Sequence, residues 1–369
     1  MNSQNSMQNN IQRLPAEIQY AAELNLLIET DTSPRPPGWS MSLNAARKFI
    51  LGDSSLGIER KIVANISAIE RMLVSLATGR GLMLVGEPGT AKSLLSELLA
   101  AAICGTSSLT IQGGASTTED QIKYSWNYAL LINEGPSTKA LVPAPLYQAM
   151  KTGKIVRFEE LTRVPLEVQD CLLGMLSDRV MVIAELNDGE NLLYAKEGFN
   201  IIATANTRDR GVNEMSAALK RRFDFETVFP IMDFDQELEL ISSASAKLLE
   251  KSNIPHTLPK PILEILVTTF RDLRNAAHNA SQKGGGMDGL TAVLSTAEAI
   301  NVAHAAGIRA WFLEQREANP IDLVESLAGT VVKDNPDDQA KLKRYFEHKV
   351  AKRSGNHWQT FYQARHRLP

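Results

Sequence analysis

The chain has 369 residues, 44% hydrophobic and 22% charged, a balance that lets most of it bury a core. Its 39 basic and 42 acidic residues leave a formal net charge of -3, which excludes a global attraction to nucleic acid or to an anionic membrane. The polar start MNSQNSMQNN lacks the basic-then-apolar pattern of a secretory leader and no apolar run reaches the roughly 18 residues of a membrane span, so a cytoplasmic setting is expected.

In chain order, residues 1–57 read as an N-terminal arm and linker. An apolar helical patch at 18–28 is expected to pack back on its own domain, and SPRPPGW at 33–39 forces an extended connection. Ile62, Ile66, Ile69, Leu73 and Leu76 then recur at three- and four-residue steps, which predicts an amphipathic helix over 58–76. GRGLMLVGEPGTAKSLLSELLAAAIC changes period abruptly into strand, glycine-rich loop and helix. Further apolar strands are expected at 109–112, 155–158, 199–204 and 225–229, mostly with helices between them, the signature of a parallel sheet covered on both faces.

An Asp-Gly turn between VMVIAEL and ENLLYA predicts a β-hairpin over 180–195. After Pro230 the pattern is helical only, at 234–250, 261–280, 290–306 and 321–327, with Gly284 to Gly286 as a joint. The expected domains are therefore 58–230, α/β, and 231–369, all-helical. Cys104 and Cys171 fall in predicted helices without a metal or disulfide spacing and read as two buried thiols.

The chemistry starts at Gly86, Glu87, Pro88, Gly89, Thr90, Ala91, Lys92 and Ser93, between a strand and a helix. That setting suits a loop whose amides curl around the β- and γ-phosphates of a nucleotide, with the helix N-terminus and the Lys92 ammonium adding positive charge. The Ser93 hydroxyl is then placed for Mg²⁺. Ala91 stands where the strict spelling has a second glycine, a substitution that predicts a negative φ at this position. Lys92 is expected to be partly solvated.

A site that hydrolyses ATP also needs carboxylates at a neighbouring strand end. The run Lys154-Ile155-Val156-Arg157-Phe158-Glu159-Glu160 ends in two acids, Glu159 for the metal and Glu160 for the attacking water. Asn206 closes the strand FNIIATAN, within reach of the γ-phosphate or the water. Beyond it Lys220, Arg221 and Arg222 end a helical stretch; such a cluster either balances the helix dipole or supplies an arginine to a neighbouring copy's site. Basic residues from Lys343 to Arg367 interleave with Tyr345, Phe346, Trp358, Phe361 and Tyr362, a pattern that suits either single-stranded nucleic acid or a solvated face over an aromatic seam, the second being favoured.

Taken together, these residues resemble the MoxR-like branch of the AAA+ ATPases. IERMLVSLATGRGLMLVGEPGTAKSLL is similar to that family's first helix, strand and Walker A loop, which carries alanine before the lysine. VPAPLYQAMKTGKIVRFEELTRVPLEVQDCLLGMLSDR resembles its Walker B region, and FNIIATANTRDRGVNEMSAALKRRFD its sensor 1 and arginine-finger region. The resemblance implies an AAA+ P-loop parallel sheet flanked by helices, with β-hairpin insertions at 128–143 and 180–195 and a C-terminal all-helical lid. It makes Lys92 the phosphate-binding lysine, Glu159 and Glu160 the Walker B pair, Asn206 sensor 1, and Arg222, with Arg221 as second choice, the finger. It further implies ATP and Mg²⁺ as ligands, a hexamer, a protein client and a partner carrying a von Willebrand A domain. The chain departs from the family at Glu159, where aspartate is usual, at Val293, where a sensor 2 arginine is usual, and at Ala64, where a glycine precedes the first helix. A non-hydrolysing nucleotide switch and a nucleic-acid motor are the alternatives these departures and the basic C-terminus leave open.

Overall fold

The computed structural model describes residues 11–187, 189–206, 213–282, 294–332 and 335–368. Val293 and the joint at Gly284 to Gly286 lie outside them. The chain divides into two units, residues 1–86 with 91–228, and residues 87–90 with 229–369. No described helix is long and apolar enough to cross a membrane.

In the first unit the strands are β1 (Gly81–Gly86), β2 (Thr110–Gln112), β3 (Tyr124–Trp126), β4 (Leu141–Pro143), β5 (Ile155–Glu159), β6 (Val180–Val182), β7 (Leu192–Tyr194), β8 (Asn200–Asn206) and β9 (Phe223–Thr227). Its longer helices are α1 (Ala21–Thr30), α2 (Leu43–Leu51), α3 (Ile66–Ala77), α4 (Lys92–Cys104) and α5 (Pro145–Thr152). Five strands form one sheet in the order β2-β5-β8-β1-β9, and every neighbouring pair is parallel.

Cover on both faces makes the central strands mostly apolar, with alternate residues facing opposite sides of the sheet. Leu82 and Leu84 face one core, shared with Ile69, Leu73, Leu95, Leu98 and Ile202. Met83 faces the other, with Val156, Phe158, Ile201 and Ala203. Parallel pairing sets all strands pointing the same way, so their C-terminal ends meet along one edge: Gly86 is level with Asn206, and Gln112 with Glu159.

The described part of the expected arm, residues 11–57, packs back on its own unit, as expected of the apolar patch at 18–28. Leu24, Leu27, Phe49 and Ile50 are buried in the same core as α3 and α4, because this face of the sheet needs more apolar cover than two helices provide. Helix α3 starts at Ile66, later than its apolar spacing predicts; the Asn65 side chain accepts from the Ser67 amide and caps it there. Ile58 and Ile62 are buried without being helical.

Within the hairpin expected at 180–195, β6 runs antiparallel to β7, with strands shorter than expected, and Asp188 of the Asp-Gly turn lies outside the described residues. The insertion expected at 128–143 as a hairpin differs. Its strands are β3 and β4, paired from Tyr124–Pro143 to Trp126–Leu141, and between them runs a short helix, Tyr128–Glu134, capped by Asn127. The stretch YALLINE has good helix formers and no turn pair, so local propensity favours a helical excursion over a tight turn. Cys104 ends α4, buried, whereas Cys171 sits just before the helix Leu172–Ser177, half-buried, and both are free thiols.

The second unit is helical: α6 (Phe234–Lys251), α7 (Lys260–Gln282), α8 (Thr296–Glu314), α9 (Pro320–Val331), α10 (Pro336–His348) and α11 (Asn356–Gln363). Capping boxes at Ser295 with Glu298 and at Asn319 with Asp322 start α8 and α9. One core holds the unit together, with Phe270, Phe346 and Phe361 fully buried among Leu266, Val302, Leu323 and Leu327.

Candidate functional site

Loop 86–93 joins β1 to α4. Gly89 has φ +75°, a left-handed conformation that glycine adopts freely. Ala91, expected with negative φ, also lies in the left-handed region at φ +64° and is the residue from which α4 starts. A methyl group there costs about 1 kcal/mol relative to the right-handed region, so the loop holds a strained conformation in which the strict motif would have glycine. Ala91→Gly should therefore keep nucleotide affinity and raise stability by less than about 1 kcal/mol, the relieved strain being partly offset by the freer unfolded chain. Urea unfolding with an ATP titration measures both, and lost binding would show that the methyl group itself is required.

Within the loop the Thr90 hydroxyl donates to the Glu87 carbonyl at 3.0 Å. Lys92 is buried, and its Nζ donates to the Gly86 carbonyl at 3.1 Å. The ammonium thus folds back along the turn it would serve.

Glu159, at the end of β5, is buried with both oxygens engaged. Oε2 accepts from Ser93 Oγ at 2.7 Å and from Thr204 Oγ1 at 2.9 Å. Oε1 accepts from Ser96 Oγ at 2.7 Å and from Arg157 Nη2 at 2.8 Å. Burial pushes the carboxyl pKa up, but the bonds from Ser96 and Ser93, the Arg157 charge and the Thr204 bond together outweigh it and hold the group below its ordinary value. Glu159 is consequently an anion in the resting protein.

Glu160 follows in the left-handed region at φ +55°, an outlier of the kind that collects at functional sites. Its amide donates to Thr204 Oγ1 at 2.9 Å, and its Oε2 lies 2.8 Å from Arg163 Nε. Thr204 thereby bridges the two acids, giving its proton to one and accepting from the amide of the other. Gly113 at the end of β2 donates its amide to the Glu159 carbonyl at 2.7 Å. A Cβ at Gly113 would lie 2.5 Å from the Glu160 carbonyl oxygen, so only glycine lets the two strand ends approach this closely. Asn206 ends β8, level with Gly86 on the adjacent strand.

The sequence thus brings Ser93, Glu159, Glu160 and Asn206 to one edge of the sheet, the position where open α/β sheets place ligands. Arg157, Ser96 and Thr204 were missed. The signal for them is periodicity: Arg157 and Thr204 lie two residues before Glu159 and Asn206 on strands, and Ser96 three after Ser93 on a helix.

The three cations near residue 220 behave differently. Lys220 Nζ pairs with Glu214 at 2.7 Å. Arg222 is half-buried, its Nε donating to Ser177 Oγ at 2.9 Å and its Nη1 to the Ala218 carbonyl at 3.0 Å. Arg221 is exposed, with no hydrogen bond or ion pair from its side chain among the described residues. In the C-terminal segment the aromatic residues are committed elsewhere. Phe346 and Phe361 are core, Arg353 stacks on Trp358 at 4.7 Å and Arg365 on Tyr362 at 4.0 Å. Arg353 and Arg367 pair with Asp272 and Glu325, each at 2.7 Å. That is a solvated face over an aromatic seam, with Phe346 and Phe361 unable to stack on bases.

The donor set along the sheet edge, a serine hydroxyl 2.7 Å from an ionised carboxylate, consists of hard oxygen ligands and fits Mg²⁺ brought in with a phosphate ligand. Among the described residues no group of three or more His, Cys, Asp or Glu is arranged to hold a metal by itself.

Residues 81–223 match the AAA domain of the dynein-related subfamily, and residues 235–369 match the YehL-like AAA+ ATPase C-terminal domain. The chain is 70% identical over 361 residues to YehL of Escherichia coli (strain K12), covering 98% of this chain and 99% of that protein. It is 28% identical over 207 residues to the chaperone MoxR1 of Mycobacterium tuberculosis, covering 56% of this chain and 51% of MoxR1. Among solved structures, NtrX from Brucella abortus in complex with ADP is similar at 14% identity with a TM-score of 0.47, over 83% of this chain and 64% of that one.

Proposed function

Because the chain belongs to the YehL-like AAA+ ATPases, in the MoxR and dynein-related group, we propose that it binds Mg·ATP on loop 86–93 and hydrolyses it to drive remodelling of a protein client. The observation that carries this reading is the buried Glu159 carboxyl, hydrogen-bonded to Ser93 of the loop and joined through Thr204 to Glu160. Loop amides and Lys92 bind the phosphates. Ser93 and Glu159 would hold the metal, which would offset negative charge on the phosphates. Glu160 orients the attacking water and takes its proton, with Asn206 steering the same water. The extra methylene of Glu159 relative to aspartate is accommodated because four donors fix its carboxylate.

Phosphate release measured with Mg·ATP tests the proposal, with Glu160→Gln as the control. Wild-type release no higher than that of the variant would leave a nucleotide switch in its place.

Family likeness supports a ring, probed by sizing with light scattering in the presence and absence of ATP. In a ring, Arg222 reaches the neighbour's site after leaving Ser177; Arg221 is already exposed and is the second choice. Arg222→Ala should spare ATP binding and slow hydrolysis about tenfold, the effect of one charge-assisted hydrogen bond of about 1.5 kcal/mol. Mixing it with wild-type chains should show the loss acting across subunits, and unchanged turnover transfers the role to Arg221. Affinity isolation of the Glu160→Gln form with ATP is the route to the client, and to a von Willebrand A domain partner if one binds.

A further inference from the structure

Strand β5 is buried along its whole length, yet its middle residue is an arginine. A parallel strand covered on both faces is expected to be apolar throughout, and a buried charge is tolerated only with partners in every direction. Arg157 has them. Nε donates to Ser96 Oγ at 2.9 Å, and Nη1 to the Ser107 carbonyl at 3.1 Å and Thr110 Oγ1 at 3.4 Å. Nη2 donates to the Ser93 carbonyl at 3.0 Å and to Glu159 Oε1 at 2.8 Å.

Two of these partners belong to the proposed metal pair. Arg157 holds the main chain of Ser93, at the first turn of α4, and the side chain of Glu159, at the end of β5, with one planar group. An ordinary apolar residue would fill the strand without this linkage, and replacing buried ion pairs by apolar side chains is often neutral or stabilising. Stability alone therefore gives no reason for the arginine. The linkage does, because the pair works only if a hydroxyl on the helix and a carboxylate on the strand keep a fixed separation.

Building on the nucleotide-site reading above, we propose that Arg157 is a positioning residue that sets the spacing of Ser93 and Glu159 for a divalent cation bound with ATP. Its fork supplies the fixed angles, which the single ammonium of a lysine does not. The positive charge also neutralises Glu159 in the resting protein, so that the cation enters with the triphosphate and not ahead of it.

The test is ATP affinity with Mg²⁺ and with EDTA, using a fluorescent ATP analogue on the full chain. In wild type Mg²⁺ tightens binding. In Arg157→Met that tightening should shrink by about tenfold or more, one lost charge-assisted contact's worth, while the affinity in EDTA stays within twofold. Arg157→Lys, which keeps the charge and protects folding if the methionine variant fails, should fall between. Thermal unfolding of each variant separates a folding defect from a site defect. Equal loss of affinity with and without Mg²⁺ would make Arg157 merely structural, and Mg²⁺ tightening unchanged in both variants would equally overturn the proposal. Because the readout is binding, absent hydrolysis in the wild type would sink the ATPase reading and leave this comparison intact.

Discussion

Lys92→Ala is expected to weaken Mg·ATP binding by at least about 100-fold, the loss of two charge-assisted hydrogen bonds of about 1.5 kcal/mol each. The amides of the loop remain in the variant, so the whole effect reads the ammonium. Sequence reasoning placed Lys92 partly in water, but it is only 6% exposed and bonded to the Gly86 carbonyl. The burial is tolerated because the Gly86 carbonyl accepts a hydrogen bond from the ammonium. The substitution should therefore also lower Tm slightly, by losing a bond of about 1 to 2 kcal/mol. Lys92→Met, which keeps most of the side-chain volume, should recover packing but not binding. Calorimetric titration with Mg·ATP checks both variants, and near-native affinity in either would remove the lysine from the site.

Glu160→Gln is expected to leave ATP affinity within a few-fold of wild type and to cut phosphate release by about 10² to 10⁴, the range for loss of a positioned general base. Glutamine is the same length and leaves the backbone in its left-handed conformation, because the bond from the Glu160 amide to Thr204 does not involve the side chain. What changes is the proton acceptor and the ion pair with Arg163, which is half-exposed and contributes little to stability. Single-turnover phosphate release beside equilibrium binding separates the two quantities. A variant that turns over at the wild-type rate would assign the base elsewhere, and one that loses affinity would mean that Glu160 shapes the loop.

Local signals in the sequence were reliable where the chemistry is local. Strand, loop and helix around 81–104 follow from an abrupt change of period, and β5 and β8 from short apolar runs, whereas β9 starts at Phe223, two residues before the run expected at 225–229. The antiparallel pair β6–β7 falls within the stretch marked by the Asp-Gly pair, with strands shorter than the runs VMVIAEL and ENLLYA. The short helix between β3 and β4 was not foreseen, because the family's hairpin insert was carried over in place of the helix-forming residues actually present. Helices α10 and α11 match the favoured expectation of a solvated basic face over an aromatic seam, with Phe346 and Phe361 in the core built by α7, α8 and α9.

The sequence by itself determined the strand-loop-helix setting of residues 86–93, the adjacent acids Glu159 and Glu160 at a strand end, and the α/β order, since each is written in consecutive residues whose spacing obeys a fixed backbone period. Only the tertiary structure decided what surrounds Glu159. Ser96 on α4 and Thr204 on β8 are far from Glu159 in the chain and join Arg157, its neighbour on the same strand, on one carboxylate, a convergence set by how β8 pairs with β5 and how α4 packs on the sheet. That the apolar patch at 18–28 packs on its own domain was legible; that Phe49, Ile50 and Ile58 join it in one core was decided by the tertiary structure, because how much cover a sheet face needs is not written in the segment that supplies it.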